Sequence, residues 1–213
     1  MYKKGKNLKL MDEKSIFIGD GVVIGDDVTI YENNRIDGGT VIGDGCVLLP
    51  NNYVVDTVIG KGVTLHLSVA ESAVVGDGAS IGPYARLRPK AKIGANVKIG
   101  NFVEIKNAVV GDGTKVSHLA YVGDCEIGKN CNIGCGVIFV NYNGKTKSRS
   151  VVGDNCFIGS NCNVIAPVTI AKNSYVCAGT TVTADVAESG FVIGRVRQEI
   201  KDGRGKDYLK EIW

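Results

Sequence analysis

Aliphatic residues return at every sixth position along most of this chain, and that period constrains the fold more than any other feature. The series runs Ile18, Ile24, Ile30, Ile36, Ile42, Leu48 and Val54, then takes a five-residue step to Ile59 and reaches Leu65. It blurs between Ser68 and Ala73, returns at Val75 and Ile81, and continues through Leu87, Ile93, Ile99, Ile105, Val110, Val116, Val122, Ile127, Ile133 and Phe139. After a break it resumes at Val152, Ile158, Val164, Ile170, Val176 and Val182. Such a period fits neither an amphipathic helix nor a hairpin sheet. It fits a parallel β-helix, in which three short strands make each triangular coil and the aliphatic side chain points inward on every face. Glycine often follows the aliphatic, where the chain must turn a corner.

Roughly 28 repeats at three per coil predict an all-β fold of about nine coils, ~40 Å tall at the usual strand spacing. Residues 1–14 read as an N-terminal lead, 15–187 as the β-helix and 188–213 as a C-terminal tail. The charged tail ends in an amphipathic group, Tyr208, Leu209, Ile212 and Trp213, which either hangs loose or docks on a neighbouring chain. Aromatic residues are only 7% of the chain, so aliphatics must fill the core. With 29 glycines but 4 prolines and no triplet, collagen is excluded.

The seven cysteines include no CxxC pair. Cys46, Cys131, Cys156 and Cys162 fall four residues after an inward aliphatic, a slot that Ala79, Ala85, Ala91, Val97 and Val168 also occupy. They read as small core hydrophobes in a reduced, cytoplasmic protein, not as disulfides or a zinc site. A net charge of +3 gives no reason to expect a nucleic-acid partner. No apolar run approaches the ~20 residues of a membrane span. No secretory signal opens the chain.

Two features depart from the repeat. His118 is one of two histidines and lies two residues beyond the inward Val116, so it projects outward. The other, His66, lies in the blurred region with no partner motif, and two histidines cannot build a three-histidine zinc site on such a prism. The second feature is the break itself. Asn141–Ser150, NYNGKTKSRS, is polar and basic, with a turn signal at Asn143-Gly144. It is either a tolerated surface insertion or a loop that carries function.

The segments IGPYARLRP (81–89), GNFVEIKNA (100–108), VSHLAYVGD (116–124), NIGCGVIFVNYNGKTK (132–147), IGSNCNVIAPVTI (158–170), CAGTTVT (177–183) and IGRVRQ (193–198) then give the chain a specific likeness. It closely resembles the acetyltransferase domain of the bifunctional N-acetylglucosamine-1-phosphate uridyltransferase/glucosamine-1-phosphate N-acetyltransferase family, without gaps over roughly 81–198 and more weakly back to about residue 15. The resemblance implies a left-handed β-helix that forms a homotrimer with active sites between subunits. It implies transfer of acetyl from acetyl-CoA to the amine of glucosamine 1-phosphate, with no metal needed.

By the same resemblance His118 matches the catalytic base. Arg88, Lys106, Tyr121, Asn132 and Lys147 match the residues that hold the sugar phosphate. Asn141 and Tyr142 match a pair near the acetyl group, and Cys135 a backbone amide that meets the developing oxyanion. Ser160, Ala178 and Arg195 match the coenzyme A groove, and Glu104 is expected to orient or stabilise His118. There are departures. Cys135 stands where the family has alanine, Arg197 where proline commonly follows valine, and Arg204 where an aromatic is usual. No nucleotide signature precedes Ser15, so the expectation is an acetyltransferase without the uridyltransferase domain. Two alternatives stay open: an acetyltransferase for another amino sugar or sugar nucleotide, and a non-catalytic β-helix that assembles with a separate nucleotidyltransferase.

Overall fold

The structure is a computed structural model that describes residues 1–207, so the amphipathic group at Tyr208, Leu209, Ile212 and Trp213 lies outside the described residues. Every strand pairing between coils is parallel. One face stacks ten strands, from Lys3–Lys4 at the bottom to Thr169–Ile170 at the top. The second face runs from Lys9–Leu10 to Phe191–Val192, and the third from Phe17–Ile18 to Thr181–Val182. Most strands hold two or three residues, but Lys98–Lys106 and Lys115–Gly123 run for nine and carry the second face around a corner into the third.

The six-residue period is realised as a triangular prism whose inward positions are almost all aliphatic, with Phe139 the aromatic exception. Ile30, Ile36, Leu48, Leu65, Ile81, Leu87, Ile99, Ile105, Ile127 and Ile158 are fully buried. Cys46, Cys125, Cys131, Cys156, Cys162 and Cys177 are buried too, and all seven cysteines are free thiols.

The prism has about eleven coils, close to the nine or so that the repeat count predicts. The additional coils come from its ends. Lys3–Lys4 pairs with Val23–Ile24 and Lys9–Leu10 with Thr29–Ile30, so the lead is itself built into the β-helix. Lys3 and Lys4 are exposed at this level, so no apolar signal marks the strand.

Corners are held by short polar side chains. Asp44, Asp77, Asp112 and Asp154 each accept the backbone N–H of a residue one coil below, from Asp26 (3.0 Å), Lys61 (2.7 Å), Ala95 (2.9 Å) and Lys129 (2.7 Å). Inside the lower coils a buried ladder replaces apolar packing. Asn52 donates from Nδ2 to Asn34 Oδ1 (2.8 Å) and to the Leu49 carbonyl (2.6 Å), and its Oδ1 accepts the Ser68 N–H (3.0 Å). Asn52→Leu, of similar volume, leaves those partners unsatisfied. It is expected to cost about 2 kcal/mol, read as a lowered midpoint in denaturant unfolding.

Between Phe139 and Ser150 the chain leaves the prism as a small hairpin. Tyr142 and Lys147 form an antiparallel bridge. Asn143 Oδ1 accepts the N–H groups of Lys145 (2.9 Å) and Thr146 (2.8 Å), and Gly144 takes φ +92°. The Asn-Gly turn signal is thus a real turn.

Candidate functional site

His118 sits at the corner between the second and third faces, exposed, beside Asn101 of the coil below. Its Nδ1 lies 2.7 Å from Asn101 Oδ1. An amide oxygen there keeps the proton on Nδ1, which leaves Nε2 as the basic nitrogen. Glu104 is not the partner of this histidine. Its carboxylate accepts Arg88 Nη1 at 2.7 Å on the third face.

Above His118 the same corner continues coil by coil. The Cys135 carbonyl accepts Asn161 N–H (2.8 Å), the Ser160 carbonyl accepts Gly179 N–H (2.8 Å), and Arg195 Nη1 donates to the Ala178 carbonyl (3.1 Å). His118, Cys135, Ser160, Ala178 and Arg195 therefore form one exposed column. At ~4.8 Å per coil it extends roughly 14 Å from His118 to Ala178.

The neighbouring corner column changes character at the level of His118. Leu67, Tyr84, Phe102 and Leu119 hold φ of +44°, +58°, +58° and +38°. Above them the position belongs to Gly136, Asn161 and Gly179. Bulky residues are rare at positive φ, whereas glycine and asparagine settle there readily. The bulky ones do not bury themselves in return: Tyr84, Phe102 and Leu119 are more than half exposed, and Tyr84 stacks on Phe102 with centroids 5.5 Å apart. A protruding ridge thus ends at His118, and a floor of small residues begins above it.

The other candidates gather across the third face. Arg88 and Lys106 project from successive coils, and Tyr121 from the next. The Tyr121 ring lies over Gly123, where a Cβ would meet the ring at 2.5–2.6 Å. Asn141 Nδ2 reaches Tyr121 Oη (3.4 Å) and donates to Asp124 Oδ2. Asn132 belongs to the second face, paired with Lys115 and Phe157, and is separated from this group by the His118 corner. Tyr142 and Lys147 are exposed on the hairpin.

Asp124 is a functional candidate that sequence reasoning missed. It is buried and accepts Nδ2 of Asn107 and of Asn141. Burial pushes its carboxyl up, but the Asn107 and Asn141 amides and the charges of Lys106 and Lys147 outweigh this and hold it below the ordinary carboxylate value. The stabilisation it gives is complete above the unfolded carboxyl's pKa of ~3.9 and is lost as pH falls through the lowered folded value.

Cys135 is the one exposed thiol of the seven, and the described residues offer its N–H no acceptor. Burial, against a smaller opposing pull from Arg149, pushes the Cys125 thiol up to about 12. A thiol-specific reagent at neutral pH is expected to modify one cysteine per folded chain rapidly. Cys135→Ala removes that fast phase; a fast phase that survives the substitution contradicts the burial pattern.

A family model described as GMPPB C-terminal domain matches residues 69–143, and one described as bacterial transferase hexapeptide (six repeats) matches 149–184. A protein named bifunctional protein GlmU from Clostridium beijerinckii is 46% identical over 189 residues, 89% of this chain and 42% of that protein. Its namesake from Clostridium acetobutylicum is 47% identical over 194 residues, 91% of this chain and 42% of its own length. The chain thus spans about two-fifths of the curated relatives it matches. A solved UDP-N-acetylglucosamine acyltransferase from Arabidopsis overlaps 91% of this chain and 67% of its own, at 22% identity and a TM-score of 0.46, too loosely to carry any inference about the site.

Proposed function

We propose, from the premise that this chain is a homologue of part of the bifunctional GlmU proteins, that it is an acetyl-CoA-dependent N-acetyltransferase of amino-sugar phosphates. Its acceptor on this reading is glucosamine 1-phosphate, and its product N-acetylglucosamine 1-phosphate. The observation that carries the proposal is the single corner column of His118, Cys135, Ser160, Ala178 and Arg195, beside which the bulky ridge of Leu67, Tyr84, Phe102 and Leu119 gives way, directly above the histidine, to Gly136, Asn161 and Gly179.

The chemistry follows from that arrangement. An amino sugar arrives largely as ammonium and attacks only after losing a proton. Nε2 of His118, with Nδ1 tied to Asn101, takes that proton. The amine nitrogen bonds to the thioester carbonyl carbon, and the oxyanion that forms meets the N–H of Cys135 one coil above. The carbon–sulfur bond then breaks, and the proton held on the imidazole passes to the departing thiolate. The coenzyme's extended arm runs up the small-residue floor toward Arg195. Arg88, Lys106 and Lys147 supply positive charge for the acceptor's phosphate. Arg88 already shares its guanidinium with Glu104, so the phosphate takes the donors that pair leaves open.

A single chain divides the set, since Asn132 lies around the corner from Arg88 and Lys106. This supports a site completed between copies, and a homotrimer is the assembly proposed. The test is release of free coenzyme A thiol from acetyl-CoA with glucosamine 1-phosphate, glucosamine and other amino sugars as acceptors. Turnover no faster than that of His118→Ala rejects the proposal. Faster turnover of an unphosphorylated amine than of glucosamine 1-phosphate moves the acceptor away from the phosphate.

A further inference from the structure

We propose that Asp124 is a positioning residue for the acceptor end of the site: its carboxylate clasps the 141–149 hairpin to the prism and holds Lys106 and Lys147 facing one acceptor phosphate. The identity of that phosphate rests on the function proposed above. The clasp itself rests on geometry alone.

Asp124 touches both ends of the hairpin. At its entry Asn141 donates Nδ2 to Asp124 Oδ2, and at its exit Ser150 N–H donates to the Asp124 carbonyl at 3.3 Å. The other carboxylate oxygen takes Nδ2 of Asn107 from the coil below, and Asp124 N–H donates to the Lys106 carbonyl at 3.0 Å. One buried residue thus joins the loop's two roots to the coil that bears Lys106. Asn141 extends the connection to Tyr121 Oη.

The corner aspartates elsewhere behave differently. Asp44, Asp77, Asp112 and Asp154 accept backbone N–H groups to close turns, and Asp44 and Asp112 also pair with the exposed Lys61 and Lys129. Asp124 spends its carboxylate on side-chain amides and lies within the field of two ammonium groups. Burial and two side-chain amide donors are what the turn-closing aspartates lack. Two lysines that must face one dianion need such an arrangement, because without a fixed counter-charge they repel each other before the acceptor arrives. Lys147 lies exposed on the hairpin, bridged across it to Tyr142.

Two substitutions separate shape from charge. Asp124→Asn keeps the size, and the amides of Asn107 and Asn141 can turn to restore hydrogen bonds, but the charge is gone. Asp124→Ala removes both. In the unliganded protein, Asp124→Ala is expected to speed tryptic cleavage after Lys145 and Lys147 at least tenfold, with the rest of the prism still resistant. For acetyl transfer, both variants are expected to raise KM for glucosamine 1-phosphate about tenfold, leave kcat within twofold, and leave KM for unphosphorylated glucosamine unchanged. An unchanged cleavage rate in Asp124→Ala overturns the clasp. A wild-type KM in Asp124→Asn overturns the role of the charge. If Asp124→Ala does not fold, hydrogen exchange of the 143–147 amides in Asp124→Asn at pH 7 replaces the cleavage arm. Protection equal to wild type then overturns the electrostatic clasp, and protection lost tenfold supports it. If the wild-type protein acetylates neither acceptor, the proposed function fails while the cleavage arm still judges Asp124.

Discussion

His118→Ala is expected to slow acetyl transfer to glucosamine 1-phosphate by roughly 10²–10⁴-fold, the usual worth of a positioned general base. The loss should fall on kcat and kcat/KM together, because the proton is taken only as the amine attacks. Stability should barely change, since the imidazole is exposed and makes one side-chain hydrogen bond, to Asn101. Raising the pH is expected to recover part of the loss, because more of the amine then arrives already deprotonated. Asn101→Ala provides the graded control. It frees the ring without removing it, and a loss smaller than that of His118→Ala is expected. A His118→Ala enzyme as fast as wild type, measured as thiol release in single turnover, removes the histidine from the reaction.

Gly100→Ala is expected to damage the prism severely. Gly100 lies within the nine-residue strand Lys98–Lys106, one residue before the partner of His118. A Cβ there would run into the carbonyl, carbon and Cα of Ser117 in the next coil, all of them backbone atoms. No flexible side chain can yield, so the two long strands must separate. Overpacking of this kind costs about 3 kcal/mol or more, which for a chain of this size lowers Tm by roughly 6–12 °C. Because the same separation pulls Asn101 from His118, activity should fall in the variant that still folds. Gly205→Ala serves as the neutral control, since a Cβ there meets nothing within 4 Å. Equal melting temperatures for the two variants would show that the coils can part without cost.

Much of this was legible in the sequence because a solenoid repeats one decision many times. Each inward aliphatic is read independently, so a single blurred coil, as at Ser68–Ala73, does not disturb the reading. The ends were not legible. Lys4 pairs in register with Ile24 but is exposed, so the apolar signal is missing there. The outward projection of His118 followed from its offset from Val116. The alignment of His118 with Cys135, Ser160 and Ala178 did not, because their separations are unequal and the hairpin lies within one of them.

Glu104 and Asp124 show a subtler limit. A carboxylate on an outward strand position has neighbours one coil above and below, and the sequence does not say which of them it chooses. Glu104 chose Arg88. Asp124 was hidden because Val-Gly-Asp in its segment looks like the Gly-Asp corners found throughout the chain, such as Asp44 and Asp112. Only burial and the two amide partners distinguish it.

The vertical column also works as a ruler. Each coil adds a fixed increment of about 4.8 Å, and the parallel backbone ladder does not stretch. The separation between the basic nitrogen and any contact higher on the corner is therefore quantised in whole coils. If the column holds the acyl donor as proposed, side-chain changes along it can tune the grip, but the spacing of contacts can change only by adding or deleting an entire turn of the prism. The hairpin at 141–149 respects that rule: it adds residues outward, and Phe139 and Val140 still pair with Val164 and Ile165 as if nothing had been inserted.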